Sequence, residues 1–123
     1  MKILIVDDSR VSRMLVRKAL PDRIKETADF READNGEQAI ATYKEWRPDL
    51  VLLDLTMPGM TGYEVLAALK AFDPTARVVV VSADIQQSAI ERVKQLGAFT
   101  HINKPPDGQK METLFQYLEA ATS

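Results

Sequence analysis

Five residues able to do chemistry stand where apolar runs end. Asp7 and Asp8 follow Ile3-Leu4-Ile5-Val6, Asp54 follows Leu50 to Leu53, Ser82 follows Val78 to Val81, and Lys104 comes just after the weaker run Phe99 to Ile102. A carboxylate at the end of a buried strand needs either a partner or a task, because an unpaired buried charge is costly. Three carboxylates brought together repel and raise one another's pKa unless something positive sits among them. A hard divalent cation resolves that repulsion, and Mg²⁺ takes a few protein oxygens while keeping waters and phosphate oxygens. With Lys104 as a second positive charge and Ser82 as a hydroxyl, the set suggests phosphoryl chemistry.

The elements that must position these residues can be read from the same runs. Their hydrophobicity is continuous rather than alternating, which means a strand covered on both faces, as in a parallel sheet. A fifth, poorly patterned strand is expected near Phe30 to Ala33. Between the strands lie five stretches with helical spacing. Val11, Met14 and Leu15 are expected to face inward on the first, and Ala39, Ile40 and Tyr43 on the second, which Pro48 ends. Leu66, Leu69 and Phe72 mark the third, stopped by Pro74; Ile85, Ala89, Val93 and Leu96 the fourth, stopped by Gly97; and Met111, Leu114, Phe115 and Leu118 the fifth. Alternation of this kind predicts an α/β fold, a three-layer (βα)5 sandwich. The commonest five-stranded solution is the flavodoxin-like order 2-1-3-4-5, in which strands 1 and 3 are neighbours and ligands bind at the carboxyl ends of the strands. Asp7, Asp8 and Asp54 then converge on one crevice.

Composition narrows the field. The 123 residues fit one domain spanning 1–123, with a single core. Sixteen basic residues against 18 acidic ones give a net charge of −2, which offers no footprint for nucleic acid. The absence of cysteine excludes disulfides, thiolate metal sites and thiol catalysis. No apolar stretch is long enough to span a membrane, and Asp7 and Asp8 interrupt the only candidate leader, so a cytoplasmic protein is expected.

The segments ILIVDDS, EADNGEQA, PDLVLLDLTMPGMTG, VVVVSA and GAFTHINKP, in that order and spacing, resemble the receiver domain of two-component response regulators in its single-domain, CheY-like form. The resemblance covers essentially the whole chain. It implies Asp54 as phosphoacceptor, and Asp7 and Asp8 as the acidic pair at a Mg²⁺ ion, with Asp8 and Asp54 binding it directly and Thr56 lending its backbone carbonyl. It implies Ser82 as a switch hydroxyl and Lys104 as the ion-pair partner of the phosphoryl group, followed by a cis Pro105. A histidine kinase or phosphotransfer protein would be the donor. The target would dock on the fourth long helix, the last strand and the last helix, roughly Ile85 to Leu118. The chain would be a monomer or a weak, phosphorylation-dependent dimer, acting as a signalling switch that catalyses its own phosphorylation and slow dephosphorylation. A chemotaxis regulator and a phosphorelay intermediate both fit, as does a receiver excised from a longer regulator.

Plainer readings stand beside these. Asp8 or Ser9 suits a helix N-cap, Ser82 could cap the next helix, and Lys104 could be a solvated loop lysine. Asn35-Gly36 is a turn signal, and Trp46 packs at a helix end or lies on the surface. His101 occupies a position usually aromatic in the family, where the ring flips inward on activation; it is either a flat ring following that motion or a half-exposed strand residue. Pro106 and Thr61 replace a commoner Phe and Asp. An aspartyl-phosphate phosphatase would carry a second acid where Thr56 stands. A flavodoxin-like electron carrier would set its flavin phosphate against the acids, and a degenerate receiver would not keep the full acid set.

Overall fold

The structure, a computed structural model, describes residues 1–83 and 86–122. Five parallel strands, β1 (Lys2–Val6), β2 (Asp29–Ala33), β3 (Leu50–Leu53), β4 (Val78–Ser82) and β5 (Thr100–Asn103), form one sheet in the order β2-β1-β3-β4-β5. This is the flavodoxin-like order expected from the sequence. Six helices are found among the described residues: α1 (Arg10–Ala19), α2 (Asp22–Thr27), α3 (Gly36–Trp46), α4 (Gly62–Phe72), α5 (Gln87–Gln95) and α6 (Gly108–Thr122).

Each central strand feeds two cores, because successive side chains point to opposite faces. Leu4, Val6, Val51, Leu53, Val78 and Val80 meet α3, α4 and α5 on one side. Ile3, Ile5, Leu50, Leu52, Val79 and Val81 meet α1 and α6 on the other. The continuous apolar runs thus reflect two buried faces. The edge strand β2 shows why it was poorly patterned: Asp29, Arg31 and Glu32 are exposed, and only Ala33 is buried.

Two helical faces depart from expectation. On α1, Val11, Met14 and Leu15 are exposed (60%, 58% and 46%), whereas Val16 and Leu20 enter the core. The inward stripe runs through Ser12, Val16 and Ala19 at helical spacing, and it opens on a hydroxyl because its first turn meets the polar crevice. On α4, Phe72 is 41% exposed and stands edge-on to Tyr43, while Val65, Leu66 and Leu69 are buried. The short α2 follows Pro21 and buries Ile24. Ile85 lies outside the described residues. Trp46 is partly buried at the end of α3, with Lys2 and Arg31 over its ring.

The turns that carry the site are locally specified. Ser9 caps α1 by accepting a hydrogen bond from Ser12 N–H, and Thr61 caps α4 in a reciprocal box with Glu64. Gly62 lies against the backbone of the site loop: an added Cβ would stand 2.6 Å from Leu55 Cα and closer still to the Asp54 carbonyl oxygen. The Lys104–Pro105 peptide bond is cis, as the resemblance implied.

Candidate functional site

At the carboxyl ends of β1, β3, β4 and β5 the chain places Asp7, Asp54, Ser82 and Lys104 around one crevice. The Asp54 backbone N–H donates to the Val6 carbonyl, and the Lys104 N–H to the Ser82 carbonyl, so the sheet's hydrogen bonding continues one residue past each strand and fixes these residues. Asp7, Asp54 and Ser82 are the buried polar or charged residues of the described structure, each at 6% exposure or less. Asp8 is exposed beside them. One carboxylate oxygen from each of Asp7, Asp8 and Asp54 lies within 4.8 Å of the other two.

The Lys104 ammonium sits in this cluster with its donors committed. It lies 2.7 Å from Asp7 Oδ2, 2.8 Å from Ser12 Oγ and 3.3 Å from Asp54 Oδ1. Asp7 is held further by the Ser9 N–H at its Oδ1 (2.9 Å), and Arg13 binds its backbone carbonyl (2.7 Å) while pairing with Glu32.

The electrostatics divide the two buried acids. Burial pushes the Asp7 carboxyl up, but hydrogen bonds from Lys104, Ser12 and the Ser9 N–H outweigh it and hold the group below the usual carboxylate range. Burial and then the neighbouring Asp7 charge lift the Asp54 carboxyl above that range, against the pull of Lys104 and of a hydrogen bond from the Thr56 backbone. Burial lowers the Lys104 ammonium, yet Asp7 and Asp54 together raise it, so it stays charged. Three carboxylates against one ammonium leave an all-oxygen cluster two negative charges in excess. That donor set and that charge fit a hard divalent cation.

The sequence-predicted residues therefore come together as a set, with two exceptions in kind. Thr56 is exposed beside Asp54, and it is its backbone N–H, rather than the expected carbonyl, that bears on the Asp54 carboxyl. His101 is half-buried on β5 and borders the crevice only through Ser82, with which it lines a small cavity. Ser12 was missed. A serine four residues after an acidic pair carries no recognisable pattern, and its role emerges only when α1 turns its first stripe toward Lys104.

Residues 3–116 match the family model for the response regulator receiver domain. The chain is 42% identical over 106 residues to the sporulation initiation phosphotransferase F of Bacillus subtilis, covering 86% of this chain and 83% of that protein. It is 41% identical over 108 residues to the chemotaxis protein CheY of Listeria monocytogenes, covering 85% and 87%. Among solved structures it resembles a chain of the CheX–CheY–BeF3–Mg²⁺ complex from Borrelia burgdorferi, with a TM-score of 0.85, 31% identity, and coverage of 100% of this chain and 90% of that one.

Proposed function

The chain belongs to the response regulator receiver domain family, and on that premise we propose that it is a phosphoacceptor switch, a single receiver domain over residues 1–123 that takes a phosphoryl group onto Asp54. The observation that carries this reading is the buried Asp54 carboxylate within 3.3 Å of the Lys104 ammonium, in a cluster of three acids and one lysine. The phosphoryl donor is a phosphohistidine on a kinase or phosphotransfer protein. Its N–P bond breaks, and a P–O bond forms to an Asp54 carboxylate oxygen.

Asp8, Asp54 and the Thr56 carbonyl would hold Mg²⁺ directly, with Asp7 completing the acidic pair beside it. When bound, the ion neutralises charge on the transferring oxygens. Asp7 has a different task from its neighbours, since it already anchors Lys104. Lys104 leaves that resting position to pair with the phosphoryl oxygens. Ser82, on the strand next to Asp54, turns its hydroxyl toward the same oxygens, and His101 moves into the space released. The change is felt on the face formed by α5, β5 and α6, where a target protein docks. An acyl phosphate is labile, so the domain also resets slowly by hydrolysis.

Intact mass spectrometry after incubation with acetyl phosphate tests the assignment. We expect one added phosphoryl group that requires Mg²⁺ and is absent from Asp54→Asn. Undiminished labelling of that variant would refute Asp54. Lys104→Ala is expected to accept phosphate but to fail in target binding.

A further inference from the structure

At the end of β5 the Asn103 side-chain oxygen, Oδ1, is buried and receives no hydrogen bond, alone in this among the side-chain nitrogen and oxygen atoms of the described residues. A buried side-chain oxygen that no protein donor reaches is a ready acceptor for a donor that moves toward it. The register pairs Asn103 with Ser82 and His101 with Val80. Residues 101 and 103 are two apart on one strand and so share a face. On that face Ser82, His101 and Asn103 line a cavity of ≈ 10 Å³, closed on the α5 side by Ala89 and Val93. The space is about that of one water, and a ring enters it only if a neighbour moves.

His101 and Asn103 also line the open groove of ≈ 680 Å³ between β5 and α6. The imidazole thus stands at the boundary of two spaces, an open groove and a small cavity, both of which Asn103 also lines. We propose that Asn103 receives His101 when the ring turns inward: an imidazole N–H donates to Asn103 Oδ1, the acceptor that no other protein group uses. This rests on the reading of Ser82 and His101 as the switch, and it assigns Asn103 as the positioning residue of the inward state. The pairing suits a histidine in particular. Its N–H groups lie on the ring itself, within reach of the next side chain on the same strand face. A phenylalanine has no donor, and a tyrosine carries its hydroxyl beyond that reach.

His101 is the sole histidine, so its ring signals are unambiguous in long-range ¹H–¹⁵N magnetic resonance. Beryllofluoride with Mg²⁺ is the activating probe, and fluorine resonance reports its loading. In the wild type we expect one ring N–H to become protected from water exchange roughly tenfold, the size of one buried hydrogen bond, with a cross-peak to the Asn103 amide. Asn103→Val, brought to full loading with excess beryllofluoride as fluorine resonance reports, should lose the protection, and it should need more beryllofluoride to load because the inward state it couples to has lost a hydrogen bond. Asn103→Thr, which restores an acceptor, should recover part of the protection. Protection kept in Asn103→Val would overturn the role of Asn103 while leaving the switch at His101 standing. A fully loaded wild type whose His101 signals do not move would overturn both.

Discussion

The two ends of the sheet treat their polar clusters in opposite ways. At the amino end, Tyr43 donates its hydroxyl to Asp73 Oδ2 (2.7 Å), Arg47 approaches the same oxygen (3.4 Å), and the Thr75 N–H and hydroxyl fill Asp73 Oδ1. Hydrogen bonds from Thr75 and then Tyr43 hold Asp73 below the usual carboxylate range, while burial and then Asp73 push the Tyr43 hydroxyl up. Each member stabilises the form the others need. At the carboxyl end, one ammonium is shared among acids it cannot neutralise, Asp54 is lifted out of its ordinary range, and Asn103 holds a buried acceptor that no protein donor reaches. The same three-layer scaffold supports a settled network at one end and an unsettled one at the other. An unsettled end can respond to an added cation or phosphoryl group.

The largest effect expected at the carboxyl end is steric. Gly62→Ala sets a methyl group against the backbone of Asp54 and Leu55, and should cost about 2 kcal/mol or more in denaturant unfolding. If it costs nothing, the loop is looser than the comparison requires.

A matched pair of substitutions sharpens the contrast. Tyr43→Phe removes a member of the satisfied network and should destabilise by about 1 kcal/mol. Asp54→Asn removes a member of the unsatisfied one and should stabilise the metal-free protein by a similar amount, on the order of 1 kcal/mol. The sign follows from the raised Asp54 carboxyl. Folding favours its protonated form, so its contribution is present below the unfolded carboxylate pKa and is lost as pH rises through the higher folded value. Asp7, held low, runs the other way, and its contribution is lost as pH falls. In metal-free buffer Asp54→Asn should therefore remove the decline in stability on the high side of the carboxylate range, leaving the acid-side loss due to Asp7. Denaturant unfolding across that range reads both.

Much of this was legible in the sequence, and the parts that were not have physical causes. β3 matches the predicted Leu50 to Leu53, and Asp54 was recognised because a strand buried on both faces ends in it. Helical spacing puts Val11, Met14 and Leu15 on one apolar stripe of α1, yet that stripe is turned to solvent, because the inward one begins on Ser12, whose hydroxyl serves Lys104. Phe72 was expected in the core, but helical spacing does not say where a helix runs off its sheet. The six-residue α2 is too short for periodicity to show. The unsatisfied Asn103 oxygen could not be foreseen, since it depends on the pairing of β5 with β4.

A smaller effect probes the resting position of Lys104. Ser12→Ala takes away one of its acceptors and should change stability by no more than about 0.5 kcal/mol. It should also speed labelling by acetyl phosphate a few-fold, because the ammonium is less firmly parked. A slower rate would mean that Ser12 assists the transfer itself.

Three carboxylates against one ammonium make the carboxyl end a site for a divalent cation. Calorimetric titration of Mg²⁺ into wild type and Asp8→Ala at neutral pH measures this directly. We expect one site in the wild type and an affinity weaker by roughly tenfold or more in Asp8→Ala, which loses one of few oxygen ligands while keeping the buried core of the site. Equal affinity in the two proteins would contradict it.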